Sequence, residues 1–332
     1  MEKIKERTEI KLDKKDRQIM HELEENSRQS YTEIGKKVRL KSNTVEYRIN
    51  KLIQSGIILR MFAEPNLAKL GLKTYRLYLK MENISSEKET EFIAYLKKHP
   101  KGQWFAALEG NWDYIMRYSL RDEIEFKKEI DELTKRFGDC MKSKNIAITI
   151  QQGYLPLNYL TGYRGTTRMQ TLEEKTEDVD ELDKGIMREL FENSRTSTVT
   201  IATRLGISPD AVQYRIKNLL RNGVISFFGA YYDPEKFGYT RYKILFWLKH
   251  ITEDKEKEFI EYCVQHPNSA YLNRNVGEWD LEVDFDTVNV RDVHRIINEI
   301  RKRFPDIIKD YSILTILNEH VPNPFVDAVQ RS

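Results

Sequence analysis

Residues 26–49 read NSRQSYTEIGKKVRLKSNTVEYRI, and residues 193–216 read NSRTSTVTIATRLGISPDAVQYRI. The correspondence continues without a gap at an offset of 167, the difference between 193 and 26, so that 13–153 and 180–320 are two copies of one unit. A repeat this long is a duplicated module, because solenoid periods are roughly 20–50 residues. One chain therefore contains what a twofold dimer would otherwise supply.

The composition describes a globular protein with more than one domain. Its 332 residues exceed the roughly 100–150 of a typical domain. No apolar run approaches the roughly 20 residues of a membrane span, and the charged N-terminus lacks the apolar core of a secretory signal. Cys140 and Cys263 lie at non-equivalent positions of the repeat. A disulfide framework is therefore not expected, and a reducing cytoplasm is.

The charge is distributed unequally between the two copies. Residues 13–60 contain eleven Lys and Arg against seven Asp and Glu, whereas 180–227 contain seven against six. The first copy has an electrostatic bias toward a polyanion such as nucleic acid, and the second copy has almost none.

The first third of each copy has the pattern of three helices followed by a strand. In the first copy, Ser30 and Glu33 form a capping box before the second helix. In the second copy, Ser208 and Pro209 mark the beginning of a third helix, and the matching helix of the first copy begins near Ser42. This order predicts winged helix-turn-helix domains at 13–62 and 180–229.

The third helix of such a domain enters the major groove of DNA, where its N-terminal side chains meet base edges. Arg48 and Arg215 recur at the same position, and an arginine fork fits two acceptors of guanine. The candidate DNA-binding residues are Ser42, Asn43, Thr44, Tyr47, Arg48, Lys51, Ser208, Asp210, Tyr214, Arg215 and Lys217.

Two alternatives to DNA binding by both helices stay open. Tyr47 and Arg48 could persist in both copies because they brace the helix against its own domain. Lys51 is replaced by Asn218 in the second copy, so the two helices would read DNA unequally. The second copy could also have become a purely structural domain.

The remaining two thirds of each copy show strand and helix patterns in the order β-α-β-β-α-β. Strict alternation over 72–81 predicts a strand, the amphipathic segment 86–98 predicts a helix, and a last strand is expected around 144–151. The order is that of the ferredoxin-like split βαβ unit, so the fold class is α+β. The two ferredoxin-like effector or dimerisation domains are predicted at 70–153 and 237–320.

A ferredoxin-like sheet carries its helices on one face and leaves the other face to be covered. In the second copy, Leu245 and Trp247 make this free face apolar. The other copy is the expected partner, which gives an intrachain pseudo-dimer. Residues 154–178 between the copies are polar at their end and are predicted to form a surface linker, longer than an ordinary domain connection.

A helix-turn-helix followed by this unit, with a Gly-x-x-Asp turn between the central strands, resembles the Lrp/AsnC (feast/famine) transcription regulators. The resemblance covers nearly the whole chain, twice. It implies that a small effector, typically an amino acid, binds where the turn lies at the interface between sheets. It also implies further assembly into homo-oligomers. The implied effector-binding residues are Gly110, Trp112, Asp113, Gly277, Trp279 and Asp280.

Each turn residue also has a structural interpretation. Glycine permits the left-handed backbone of a tight hairpin. Asp113 and Asp280 could receive the ammonium group of a ligand, or they could cap neighbouring amides. Trp112 and Trp279 could narrow the pocket or pack at the interface.

The sirohaem decarboxylases share this architecture in paired or fused form and are the rival interpretation. Such an enzyme needs basic side chains for the tetrapyrrole carboxylates and a His or Arg that assists proton transfer. His99 and His266 recur, but each precedes a proline at a helix end. The central strands offer only Arg117 and Arg274, at non-equivalent positions. A third interpretation is a ligand-binding protein that does not bind DNA.

The sequence thus favours a cytoplasmic transcription regulator that senses a small effector such as an amino acid. Its expected partners are double-stranded DNA, the effector and further copies of the chain, without a membrane. The sequence contains no phosphate loop, no Gly-x-Ser-x-Gly elbow and no HExxH motif. No catalytic residue, cofactor or metal site is predicted.

Overall fold

The computed structural model describes residues 12–172, 175–249 and 252–321. Residues 1–11 lie outside these ranges, and so does the expectation of no secretory signal, which concerns them. Residues 173 and 174 of the predicted linker also lie outside. Within the described ranges, no helix has both the length and the apolar character needed to cross a membrane.

Copy one begins with a three-helix domain and a strand. The elements are α1 (Lys14–Asn26), α2 (Tyr31–Val38), α3 (Ser42–Gln54) and β1 (Ile58–Pro65). Ser30 and Glu33 form the predicted capping box at the start of α2, and Asp13 forms another with Asp16 at the start of α1. The three helices bury their apolar faces in one core that includes Leu23 and Ile49.

A ferredoxin-like unit follows in the predicted β-α-β-β-α-β order. Its elements are β2 (Lys73–Met81), α4 (Ser86–Lys98), β3 (Gly102–Glu109), β4 (Tyr114–Leu120), α5 (Glu123–Phe137) and β5 (Met141–Tyr154). The helices cover one face of the sheet with side chains such as Phe92 and Phe137. The last strand extends beyond the predicted 144–151, because its second half pairs with a strand of the other copy.

The segment between the copies is more than the surface linker expected over 154–178. It contains the short helix α6 (Asn158–Thr161) and the strand β6 (Arg168–Thr171), which pairs with β5. Leu160 is buried in the core of the first helix-turn-helix domain. The Leu157 amide donates to Glu24 Oε1 over 2.7 Å. Apolar residues at the beginning of the segment anchor it, although its end is polar.

Copy two repeats the same order of elements. They are α7 (Glu181–Glu192), α8 (Thr198–Leu205), α9 (Pro209–Arg221), β7 (Ile225–Tyr232), β8 (Thr240–Leu248), α10 (Glu253–Gln265), β9 (Ser269–Val276), β10 (Leu281–Thr287), α11 (Val290–Arg303) and β11 (Ile308–His320). The Ser208 hydroxyl caps α9 by accepting from the Ala211 amide, with Pro209 in the first turn.

The two ferredoxin-like sheets close into one antiparallel β-barrel. The strands follow the order β2-β4-β3-β11-β8-β10-β9-β5, and β5 pairs back with β2. The seams between the copies are β3 with β11 and β9 with β5, which the repeat relates to each other. Each copy therefore covers the free sheet face of the other.

The interior of the barrel is apolar at one end and charged at the other. Tyr78, Leu245 and Trp279 belong to a buried cluster at the apolar end. Towards the other end, inward positions carry buried charged residues such as Lys243 and Glu282. Because alternate residues of a strand face opposite sides, the remaining residues of these strands pack against the outer helices.

The two helix-turn-helix domains are joined through their strands. Strands β1 and β7 pair antiparallel, with Phe62 opposite Gly229. These two residues correspond in the repeat, so the pseudo-twofold axis passes between them. A Cβ on Gly229 would lie 2.9 Å from a ring atom of Phe227 and 3.4 Å from one of Phe62. Glycine at this position therefore leaves room for both rings. The axis therefore relates Phe62 to Gly229, two residues at equivalent positions of the repeat with very different side chains.

Candidate DNA-binding helices and a charged cavity between the copies

The predicted DNA-binding residues of both third helices face solvent in the isolated chain. Tyr47 on α3 is 68% exposed and Tyr214 on α9 is 66% exposed, which is unusual for a large aromatic side chain. The opposite face of each helix is buried through Val45 or Val212 and their neighbours. Exposed predicted residues are Ser42, Asn43, Lys51, Ser208, Asp210 and Lys217, and Thr44 is half-buried.

Arg48 and Arg215 contact the first helix of their own domains. Arg48 Nη1 lies 2.8 Å from Asp13 Oδ2 and 2.7 Å from Asp16 Oδ1. Arg215 makes the equivalent ion pairs with the acids of α7. Both guanidinium groups remain partly exposed. The contacts match the bracing interpretation and leave each arginine at the surface of its helix.

The recurring Asn-Ser-Arg motif lies at the contact between the two helix-turn-helix domains. The Ser27 and Ser194 hydroxyls are hydrogen-bonded to each other over 2.6 Å. Arg195 donates to the Ser27 and Gln29 carbonyls over 2.8 Å each. Arg28 donates to the Ser194 and Thr196 carbonyls. In the sequence, this motif indicated only the repeat. Its identity in both copies is nevertheless what a symmetric contact between them requires.

The two glycines of the predicted effector turns serve different needs. Gly110 has φ +138°, which favours glycine, and a Cβ there would lie 2.8 Å from Leu314 Cδ2. At Gly277 a Cβ would lie 2.8 Å from the Ile146 carbonyl oxygen. The expected positive-φ backbone therefore holds at Gly110 but not at Gly277, where the close approach of the other copy is what excludes a side chain.

The turn aspartates cap neighbouring strands. The Asp113 carboxylate accepts from the Met81 amide and the Lys80 ammonium group, both over 2.7 Å. The Asp280 carboxylate accepts from the Leu248 amide over 2.7 Å. Capping of amides, one of the two predicted roles, is thus present in both copies.

The turn tryptophans come together from the two copies. The ring centroids of Trp112 and Trp279 are 6.5 Å apart. Trp279 is buried in the barrel, packs edge-on against Tyr78 and donates its Nε1 proton to Glu282 over 3.0 Å. Trp112 is only partly buried. The structure therefore brings the two predicted effector turns into one aromatic cluster at the apolar end of the barrel.

A cavity of about 110 Å³ lies between the charged end of the barrel and the paired strands β1 and β7. Its basic lining residues come from four strands, so no single sequence motif predicts them. They are Arg60, Arg76, Arg117, Arg241 and Lys243. Its acidic lining residues are Glu64, Asp284 and Glu319.

Three of the basic residues have buried partners. Arg241 forms two hydrogen bonds of 2.8 Å with the Asp286 carboxylate, and Lys243 lies 2.6 Å from Asp284 Oδ1. Arg76 lies 3.6 Å from Glu282. Burial alone would raise the pKa of Glu282, but attraction to Arg76 and Lys243 holds it below its ordinary value.

The other two basic residues form no ion pair with a carboxylate among the described residues. The Arg60 guanidinium lies 4.5 Å from the centre of the Phe191 ring. Arg117 Nε donates to the Gln103 side-chain oxygen over 3.1 Å. Burial lowers the pKa of Arg60, and burial raises the pKa of Glu64, whose oxygen accepts from the Tyr154 hydroxyl. Glu64 is also the lining acid that interacts electrostatically with both arginines, without forming an ion pair with either.

The recurring histidines lie outside this cavity. His99 Nδ1 accepts from the Gly102 amide over 3.1 Å at the end of α4, and its Nε2 lies 3.3 Å from Glu129. His266 Nδ1 accepts from the Asn268 amide over 3.2 Å after α10. Arg274 pairs with Glu256 instead of lining the cavity. Among the described residues, no cluster of three or more His, Cys, Asp or Glu could hold a metal ion.

Comparison with protein families places both helix-turn-helix domains. Residues 12–53 match the AsnC-type helix-turn-helix domain, and residues 179–226 match a winged helix-turn-helix DNA-binding domain. An uncharacterised HTH-type transcriptional regulator of Pyrococcus horikoshii is 31% identical over 129 residues, which are 38% of this chain and 86% of that protein. The HTH-type transcriptional regulator LysM of Saccharolobus solfataricus is 27% identical over 123 residues, 37% of this chain and 84% of LysM.

A solved structure extends the likeness to both copies. The crystal structure of the sirohaem decarboxylase NirDL has a TM-score of 0.67 and covers 96% of each chain, at 13% sequence identity. At that identity the likeness shows a shared fold only, and this shared fold extends over both copies of the present chain.

Proposed function

Because the chain belongs to the Lrp/AsnC family of helix-turn-helix regulators, we propose that it binds duplex DNA with both recognition helices. The supporting observation is that α3 and α9 each present exposed polar residues while β1 and β7 join their domains as a pair. Regulators of this type read two half-sites with two recognition helices. One chain would supply both.

The proposed DNA contacts divide by chemistry. Tyr47 and Tyr214 are exposed at equivalent positions, and their hydroxyls suit phosphate oxygens. Arg48 and Arg215 would contact DNA from the outer side of their ion pairs. Lys51 adds a positive charge that the second copy lacks at this position. The remaining proposed contacts are Ser42, Asn43, Thr44, Ser208, Asp210 and Lys217.

The experiment is a gel-retardation assay with the DNA upstream of the protein's own gene. We expect Arg48→Ala to weaken specific binding and Arg215→Ala to weaken it less, because the first domain carries the larger positive charge. Affinity should fall steeply with salt, as phosphate contacts release counterions. Arg295→Ala on the outer helix α11 is the control. Unchanged binding by both recognition-helix variants would refute the assignment of these helices.

A response to a small effector, such as an amino acid, is the finer part of the proposal. The turns with Asp113 and Asp280 meet at the aromatic cluster of Trp112 and Trp279, and Gly110 and Gly277 allow the other copy to approach closely. We expect Asp113→Ala or Asp280→Ala to change the effect of added amino acids on DNA binding, with little loss of binding itself. An unchanged response in both would exclude the turns as the effector site.

A sirohaem decarboxylase-like activity is the second candidate, favoured by the basic cavity and by the fold shared with NirDL. Basic residues suit a substrate with several carboxylates, but three of the five already pair with buried carboxylates. The space of about 110 Å³ would have to open to admit a tetrapyrrole, and no histidine lines it among the described residues. Adding sirohaem to the purified chain and recording its absorbance tests this candidate. A bound tetrapyrrole that loses carbon dioxide would favour the enzyme over the regulator.

A further inference from the structure

The charged cavity lies on the pseudo-twofold axis. Its lining includes six pairs of residues that correspond in the repeat, each pair contributed once by each copy. The pairs are Glu64 and Tyr231, Arg76 and Lys243, Trp104 and Tyr271, Arg117 and Asp284, Gln152 and Glu319, and Tyr154 and Val321. In a homodimer, a cavity on the twofold axis would have two identical halves. A bound molecule would then contact the same residues of both subunits.

In this chain the two halves of the cavity differ in charge. Arg117 from β4 faces the same space as its equivalent from β10, Asp284. Lys243 pairs with Asp284 at 2.6 Å, whereas Arg117 forms no ion pair among the described residues and interacts with the buried Glu64 carboxyl group only at longer range. Arg60 on β1 adds a second guanidinium, and its equivalent in the second copy is Phe227. The two guanidinium groups without an ion pair therefore belong to copy one, as does Glu64, the buried carboxyl group that interacts with both of them.

The size of the space limits what can bind there. The 110 Å³ between the barrel and the wing strands is less than the roughly 150 Å³ of an apolar cavity that accommodates benzene, so a dicarboxylate such as succinate would extend beyond this space. A wider depression of about 420 Å³ adjoins it and shares Arg60 and Arg241. Guanidinium groups bind carboxylates through paired charge-assisted hydrogen bonds.

We propose that this cavity binds one small organic dianion, a dicarboxylate, between Arg60 and Arg117. Arg60 reaches it from the wing strand β1 and Arg117 from the barrel strand β4. The other basic residues keep their buried carboxylate partners and shape the wall. This site is separate from the turns of Asp113 and Asp280, which lie towards the apolar end of the barrel.

The ligand would join the DNA-binding part of the molecule to the barrel. Strand β1 follows the recognition helix α3 directly in the chain and pairs with β7. A dianion that bridges β1 and β4 therefore holds the paired helix-turn-helix domains against the barrel. The regulatory meaning of this bridge rests on the proposed DNA-binding function, whereas the binding of the dianion does not.

Isothermal titration calorimetry of the full chain with succinate tests the site, with succinamide as the uncharged analogue. We expect millimolar or tighter binding of one succinate per chain and none of succinamide. The double variant Arg60→Gln, Arg117→Gln should bind at least about tenfold more weakly, because hydrogen bonds between charged groups are lost. Arg295→Gln on the outer helix α11 is the matched control and should bind like the original chain.

Three results would overturn the proposal: no binding of succinate, equal binding of succinamide, or unchanged binding by the double variant. Thermal unfolding of the free double variant guards against misfolding: a cooperative transition shows that the variant folds, and the titration is carried out well below its midpoint. The same titrations are repeated with upstream DNA present. If DNA does not bind at all, the regulator proposal fails while the calorimetric result still decides the site.

Discussion

The two copies have the same residues where their helix-turn-helix domains join, but different residues where their strands line the interior of the barrel. Ser27 and Ser194 meet on the pseudo-twofold axis, and the arginines that follow them make reciprocal bonds across it. Inside the barrel, by contrast, β4 presents Ile115, Arg117 and Ser119 at the positions where β10 presents Glu282, Asp284 and Asp286. Fusion into one chain allows such divergence, since a mutation then changes only one half.

The difference inside the barrel is one of charge compensation. The three acids of β10 are matched by Arg76, Lys243 and Arg241. The equivalent of Arg241 in copy one is Thr74, opposite the equivalent of Asp286, which is Ser119. A buried ion pair in copy two thus stands where copy one has two hydroxyls.

The largest effect is expected for Asp286→Ser, which gives copy two the residue of copy one. Because Arg241 would stay buried without its main partner, we expect a loss of about 3–5 kcal/mol in the free energy of unfolding. Adding Arg241→Thr should recover part of this loss, measured as the coupling energy of a double-mutant cycle in denaturant unfolding.

The surface pair of the partly buried Asp292 and the exposed Arg295 provides the control for this cycle. Asp292→Ser should cost no more than about 1 kcal/mol, as surface ion pairs generally do. A double variant as unstable as the sum of the two single variants would show that the buried pair is not coupled.

Glu24 gives copy one a pH dependence that copy two lacks, because its equivalent is Phe191. Burial raises the pKa of Glu24 to about 7. The unfolded chain ionises this group at lower pH than the folded chain, so folding loses stability as pH rises from 4.5 to about 7. The loss amounts to about 3 kcal/mol. Glu24→Gln should remove it, as measured by urea unfolding at several pH values.

The neighbouring Glu25 is the control for the pH series. Hydrogen bonds from Thr166 and the charge of Arg168 lower its pKa although burial opposes them, so its contribution is lost as pH falls. Glu25→Gln should therefore flatten the acid side of the stability curve and leave the neutral side as it is. Identical pH profiles for the original chain and Glu24→Gln would contradict the assignment.

A smaller and symmetric effect is expected at the contact between the helix-turn-helix domains. Arg28→Ala and Arg195→Ala each remove two charged hydrogen bonds to carbonyl groups. Each should cost about 1.5–3 kcal/mol in thermal or denaturant unfolding. The two losses should be similar, in contrast to the unequal barrel, and a large loss in only one variant would argue against a symmetric contact.

Features encoded locally could be predicted from the sequence. The capping box of Ser30 and Glu33 and the helix start at Ser208 depend on residues three positions apart. The pairing of the two sheets followed from the repeat and from the apolar free face that Leu245 helps to form. These inferences needed only periodicity and spacing.

Features that depend on distant strands could not be predicted in the same way. Arg60, Arg117 and Arg241 are far apart in sequence and meet only when the barrel closes beneath β1. The anchoring of the segment after β5 depends on Leu160 reaching a core formed mainly by the distant residues 19–61, with Tyr232 from the second copy. Gly277 looked like a turn residue, yet its space is limited by the carbonyl oxygen of Ile146 in the other copy.

The most direct test of the whole account is the stoichiometry of DNA binding. A duplex with two half-sites about one helical turn apart, selected with the full chain from random DNA, is titrated with protein well above the dissociation constant while fluorescence anisotropy is recorded. We expect a sharp end point at one chain per duplex, because α3 and α9 of one molecule occupy both half-sites. An end point at two chains per duplex, or no saturable binding, would contradict it.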